Sequence, residues 1–79
     1  TRKFDTILLN PPQTAGKKLC EKIIGDSIDH LKPNGYFQMV ARHSKGGKSL
    51  SEFLEKVYGN MEVIARGSGF RIYVGQKRE

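Results

Sequence analysis

Ile7, Leu8 and Leu9 form a short unbroken apolar run that Pro11 and Pro12 end. Such a run predicts a strand over residues 4–10, buried on both faces. Over residues 15–31 the period lengthens. Leu19, Ile23, Ile24, Ile28 and Leu31 recur at three- and four-residue steps, with most of the charges between them. This predicts an amphipathic helix despite Gly25, which costs roughly 1 kcal/mol relative to alanine. Pro33, Asn34 and Gly35 then predict a turn. Tyr36, Phe37, Met39 and Val40 mark a second strand over residues 36–42. Ser49 and Glu52 have capping-box spacing, and Leu50, Phe53, Leu54, Val57 and Tyr58 mark one face of a second helix ending at Gly59. Alternation over residues 61–66 and 70–75 predicts two strands joined by a hairpin at Gly67, Ser68 and Gly69.

The order is therefore strand, helix, strand, helix, strand, strand, without repeats or linkers. Strands joined through helices run parallel with right-handed crossovers, so the first three should be parallel and the last antiparallel to the third.

Composition narrows the class. In 79 residues, Leu, Ile, Val and Phe make up about a quarter of the chain, enough to fold as one small domain or part of a larger one. No apolar run approaches the ~18 residues of a membrane span, and nothing reads as a secretory leader. Cys20 is the single cysteine, which excludes an internal disulfide and a cysteine-rich metal site and points to a reducing, cytoplasmic setting. Fourteen Lys and Arg against eight Asp and Glu give a net charge of +6, which favours anionic partners such as RNA. The positive residues concentrate locally at Arg42, His43, Lys45 and Lys48.

Asn10, Pro11, Pro12 and Gln13 carry the candidate chemistry, because ligands of open α/β sheets bind beyond the carboxyl ends of the strands. The run Phe4-Asp5-Thr6-Ile7-Leu8-Leu9-Asn10-Pro11-Pro12, the segment Leu31-Lys32-Pro33-Asn34-Gly35-Tyr36 and the terminal hairpin together resemble class I S-adenosylmethionine-dependent methyltransferases. The resemblance is to their N-P-P group, and within it to the small-subunit ribosomal RNA guanine-N2 methyltransferase C family and its archaeal relatives. It spans nearly all of the chain but only about the second half of a family catalytic domain. It implies a partial Rossmann-like α/β sheet of four strands in the order first, second, fourth, third, with two helices and a C-terminal antiparallel hairpin. The first strand would then lie at an edge, leaving Ile7, Leu8 and Leu9 without a neighbour. That predicts self-association through this strand or complementation by a missing N-terminal half.

The resemblance also implies a chemistry. The Asn10 side-chain carbonyl and the Pro11 backbone carbonyl would accept the two N–H bonds of a nucleobase exocyclic amine and aim its lone pair at the cofactor's methyl group. Asn10 would thus touch both substrate and cofactor, with Pro12 and Gln13 beside the substrate. Where the family commonly has Tyr or Phe after the second proline, this chain has Gln13. It also lacks the glycine-rich strand-turn-helix loop of these enzymes, since Gly67-Ser68-Gly69 joins two strands. Alone, it is expected to be inactive and to bind S-adenosylmethionine weakly or not at all. The opening Thr1 leans toward a fragment. The alternative is a noncatalytic basic α/β module that binds RNA or complements a partner subunit.

Other features carry less. Gly47-Lys48-Ser49 fails as a P-loop because Arg42 stands where that pattern needs glycine, although Lys45 and Lys48 at a helix start could hold an RNA phosphate. His30 and His43 have no companion ligands and make no metal site. Asp5 opens the first strand away from the chemistry, and Cys20 reads as a structural thiol. Tyr36, Phe37, Phe53, Tyr58, Phe70 and Tyr73 each fit an apolar face and are expected in the core.

Overall fold

A computed structural model describes residues 2–11 and 16–78. The elements follow the predicted order: β1 (Phe4–Leu9), α1 (Lys17–Ser27), β2 (Leu31–Arg42), α2 (Gly47–Tyr58), β3 (Glu62–Gly67) and β4 (Phe70–Gln76). They form one sheet in the order β1-β2-β4-β3, with β1 parallel to β2 and β4 antiparallel to both β2 and β3. The last strand is thus interior and β1 lies at an edge, as expected.

The core lies between the sheet and the two helices. Leu31, Phe37 and Met39 of β2 and Tyr73 of β4 meet Cys20 and Ile24 of α1 and Leu50, Leu54 and Tyr58 of α2. Phe37 stacks on Tyr58 with centroids 5.8 Å apart. Gly75 lets α2 lie close against β4, since a Cβ there would stand 3.1 Å from Leu54 and Tyr58 side-chain atoms. Ser27 holds the helices together at one end, its hydroxyl bonding the Ile24 carbonyl and the Tyr58 hydroxyl, each at 2.6 Å.

Several expectations are corrected. β1 is not buried on both faces: Ile7 and Leu9 pack against the core, whereas Leu8 is 65% exposed. Thr6 and Leu8 pair with Tyr36 and Gln38, and Ile7 and Leu9 with the buried Phe37 and Met39. Alternate side chains leave opposite faces of a sheet. The core thus takes one set, and the other meets no second layer among the described residues. For the same reason Leu19 and Ile23 of α1 are exposed, lying about 100° around the helix from Cys20 and Ile24. The first helix ends at Ser27, four residues short of expectation. A 3-10 turn (Ile28–His30) follows, and Leu31 enters β2 opposite Phe4.

Pro33, Asn34 and Gly35 do turn, but inside β2. Leu31 pairs with Phe4 and Tyr36 with Thr6, so the intervening residues bulge outward with Asn34 at φ 68°. The bulge is stitched to the end of the chain by Asn34 N–H to the Lys77 carbonyl (2.7 Å) and Lys77 N–H to the Gly35 carbonyl (2.8 Å). The β3–β4 loop is two residues, Ser68 and Gly69, both at the positive φ of a type I′ hairpin turn.

Candidate functional site

β1 and β2 run parallel, so their carboxyl ends open on one rim, where β4 begins and α2 starts. A cavity of about 320 Å³ lies there, lined by Asn10 and Pro11 after β1, Val40, Ala41 and Arg42 at the end of β2, Phe70 at the start of β4, and Lys45, Gly47 and Leu50 around the start of α2. The buried thiol of Cys20 contributes to its wall from α1. Asn10 is exposed and Pro11 half-buried, so the predicted asparagine–proline corner is at the rim and open to a ligand. Pro12 and Gln13 lie outside the described residues.

The start of α2 is built by close approach. Arg42 ends β2, a 3-10 turn (His43–Lys45) follows, and Gly46 at φ 102° turns the chain into the helix. A Cβ on Gly47 would stand 2.6 Å from the Arg42 carbonyl oxygen and 3.0 Å from the Tyr73 hydroxyl. The expected capping box is corrected here, because the helix begins two residues before Ser49 and Gly46 occupies the cap position without a side-chain hydrogen bond. Lys45 is brought to the cavity, and Lys48 sits in the first turn of α2 outside its lining.

Beside the cavity the hairpin forms a second recess of about 450 Å³, lined by His43, Ser44, Arg66, Gly67, Ser68, Gly69, Phe70 and Arg71. His43 anchors the turn to the sheet. Its backbone N–H donates to the Gly69 carbonyl at 3.1 Å, and its Nδ1 shares a 2.7 Å hydrogen bond with the Tyr73 hydroxyl. Desolvation, and then the charges of Arg71, Lys48 and Arg66, hold the His43 pKa below its ordinary 6.5, with Glu52 pulling weakly the other way. Burial raises the Tyr73 pKa against the pull of Arg71, so its hydroxyl keeps its proton at neutral pH.

The unfolded chain takes up a proton on His43 near pH 6.5, before the folded chain does, so stability falls as pH drops below about 6.5. In His43→Gln that part of the decline should vanish, as thermal melts between pH 5 and 8 would show.

Arg42 and Phe70 are the site residues that the sequence reading did not single out for this role. They are register partners across β2 and β4, and the Arg42 guanidinium lies 4.8 Å from the Phe70 ring centroid. Of the aromatic residues expected in the core, Phe37, Tyr58 and Tyr73 are buried and Phe53 packs against them. Phe70, 38% exposed, and Tyr36, 44% exposed, are not. Strand alternation had signalled a face for each but not whether anything covers it. Asp5 sits at the opposite end of β1 from Asn10, 3.5 Å from the Lys32 ammonium. Among the described residues no group of three or more His, Cys, Asp or Glu could hold a metal ion, and no helix is long and apolar enough to cross a membrane.

Comparison with known proteins places this geometry. The family described as methyltransferase small domain matches residues 1–74. The chain is 35% identical over 74 residues to the uncharacterized protein YbxB of Bacillus subtilis, covering 94% of this chain and 37% of that protein. It is 34% identical over 80 residues to ribosomal RNA small subunit methyltransferase C of Photorhabdus laumondii, covering 96% and 23% respectively. The chain thus spans well under half the length of these relatives. Its fold superposes on the T. thermophilus 16S rRNA N2 methyltransferase RsmC, solved with AdoMet and guanosine, at a TM-score of 0.88 and 17% identity, covering 98% of this chain and 21% of that one. A methyltransferase from Pyrococcus furiosus superposes at 0.81 with 22% identity, covering 100% and 43%. The sheet and helices are therefore those of a Rossmann-like methyltransferase.

Proposed function

Because this chain belongs to the methyltransferase small domain family, we propose that it supplies the amine-positioning part of an S-adenosylmethionine-dependent methyltransferase acting on a nucleobase exocyclic amine, in ribosomal RNA. The observation that carries this reading is the placement of Asn10 and Pro11 on the wall of the rim cavity beside Lys45. A lone pair on an exocyclic amine is delocalised into the ring and nucleophilic only when the nitrogen is held out of conjugation. The Asn10 side-chain carbonyl and the Pro11 backbone carbonyl accept its two N–H bonds and direct the lone pair outward. They remain bonded as the nitrogen gains positive charge, so they stabilise the transition state more than the ground state. Proline fixes its own φ, so the acceptors are set before the substrate arrives. Lys45 and Lys48, at the start of α2, take phosphates of the same strand.

S-adenosylmethionine supplies an electrophilic methyl on a sulfonium. The cavity of about 320 Å³ lies at the lower end of small-molecule sites, which fits a base or the methyl-bearing end of the cofactor and not both entire. Asn10 is the residue of this chain that would border that methyl-bearing end. In this reading the rest of the cofactor site lies outside the chain, and the chain alone is inactive. The test joins the chain to the segment that precedes the matching region in the Photorhabdus relative and measures transfer of tritiated methyl from S-adenosylmethionine to ribosomal RNA. Transfer to a guanine or adenine amine is expected. RNA binding without transfer would overturn the reading in favour of a noncatalytic RNA-binding module.

The unpaired edge of β1 is, in the same reading, the seam to that missing half or to a second copy. Among the described residues β1 pairs with β2 alone, and apolar Leu8 on the sheet face beside that edge and Leu19 and Ile23 on α1 are exposed. Exposed apolar edges favour pairing with another chain. Sedimentation of the isolated chain should show self-association that rises with concentration. A monomer at high concentration would count against the seam.

A further inference from the structure

Phe70 stands where three recesses meet. It lines the cavity with Asn10 and Pro11, the hairpin recess with His43, Arg66 and Arg71, and a smaller hollow with Val40 and Ile72. It is the dividing wall between the candidate amine site and a surface rich in cations. Its ring is partly open to solvent, where burial would otherwise be favoured, and it is braced by the Arg42 guanidinium 4.8 Å from its centroid. The described part of the corner at residues 10–13 contributes no aromatic face, nor do Pro12 and Gln13 by their chemistry. A planar ring flanked by arginines, in a chain of net charge +6, matches the chemistry that holds single-stranded nucleic acid: bases stack on the ring while guanidinium groups meet the phosphates.

We propose that Phe70, braced by Arg42, is the platform on which a base of single-stranded RNA stacks at the mouth of the Asn10–Pro11 cavity, with Arg66 and Arg71 holding phosphates along the hairpin. The strand then runs from the hairpin recess over the Phe70 ring to the cavity. This rests on the amine-positioning reading for the base's destination, but its test does not need methyl transfer.

The experiment measures binding of a fluorescein-labelled single-stranded RNA decamer to the unaltered chain and its variants by anisotropy, at several salt concentrations and without cofactor. Phe70→Ala should weaken binding about tenfold, the scale of one lost stacked base. It should leave the slope of log affinity against log salt unchanged, because no cation is removed. Phe70→Leu should be as weak as the alanine variant, and Phe70→Trp should bind as the unaltered chain does. A purely structural Phe70 would instead accept leucine. Arg66→Ala and Arg71→Ala should each flatten the salt slope by about 0.7. Thermal melts establish that each variant is folded. Absence of RNA binding by the unaltered chain, binding by Phe70→Ala within twofold of it, or full binding by Phe70→Leu would overturn the proposal. Loss of methyl transfer in the joined protein, with these binding changes intact, would sink the catalytic reading and leave the platform standing.

Discussion

Asn10→Ala, introduced into the chain joined to a cofactor-binding segment, is expected to lower the rate of methyl transfer by about 10²–10³-fold. Asn10 stands just past the end of β1 and is exposed, so the substitution removes no core contact. Stability should therefore stay within about 0.5 kcal/mol of the unaltered chain. The loss should fall on the turnover rate more than on substrate binding, because the bond is strongest when the amine carries positive charge. Asn10→Asp keeps an acceptor oxygen at the same place and should lose less. Single-turnover rates for the three proteins decide the matter. An alanine variant that transfers at the unaltered rate would remove Asn10 from the mechanism.

Gly47→Ala is expected to give the largest loss of stability of any glycine-to-alanine change in this chain. The new Cβ would stand 2.6 Å from the Arg42 carbonyl oxygen, well inside contact distance. That carbonyl cannot easily retreat, because Arg42 is paired with Phe70 in the sheet and His43 is tied to Gly69. The start of α2 must therefore move, at a cost of about 1–3 kcal/mol. For a domain of this size each kcal/mol lowers the melting temperature by about 4–8 °C. The same shift displaces Lys45 and Leu50 from the cavity wall, so RNA affinity should fall with stability. An unchanged melting temperature would show that the helix start is looser than its geometry implies.

How much of this was legible in the residues differs element by element. The face of α2 could be read because Leu50, Leu54 and Tyr58 recur at helical spacing and all three are buried. The hairpin followed from two alternating runs with glycines between them. The start of α2 could not be read, because Ser49 and Glu52 mimic a cap, whereas the helix begins where Gly47 permits contact with β2, a tertiary requirement. Nor could the exposure of Leu8 and Leu19, since an apolar residue does not declare whether a second layer exists to cover it. Asn10 and Pro11 were proposed from a motif, and both line the rim cavity. Phe70 was missed because its neighbours in space, Arg42 and the cavity, lie far from it in the chain.

The strand order has a consequence for synthesis. β4, the last of the four strands in chain order, lies between β2 and β3, and it brings the buried Tyr73 into the core. A nascent chain that has not yet emitted residue 70 holds β3 with no partner and the inner edge of β2 bare. The rim that bears the cavity wall is likewise unfinished, because Phe70 is still missing. The four-stranded sheet and its rim therefore assemble together once β4 is present, and a chain cut before that residue should yield neither, rather than a weakened version of both.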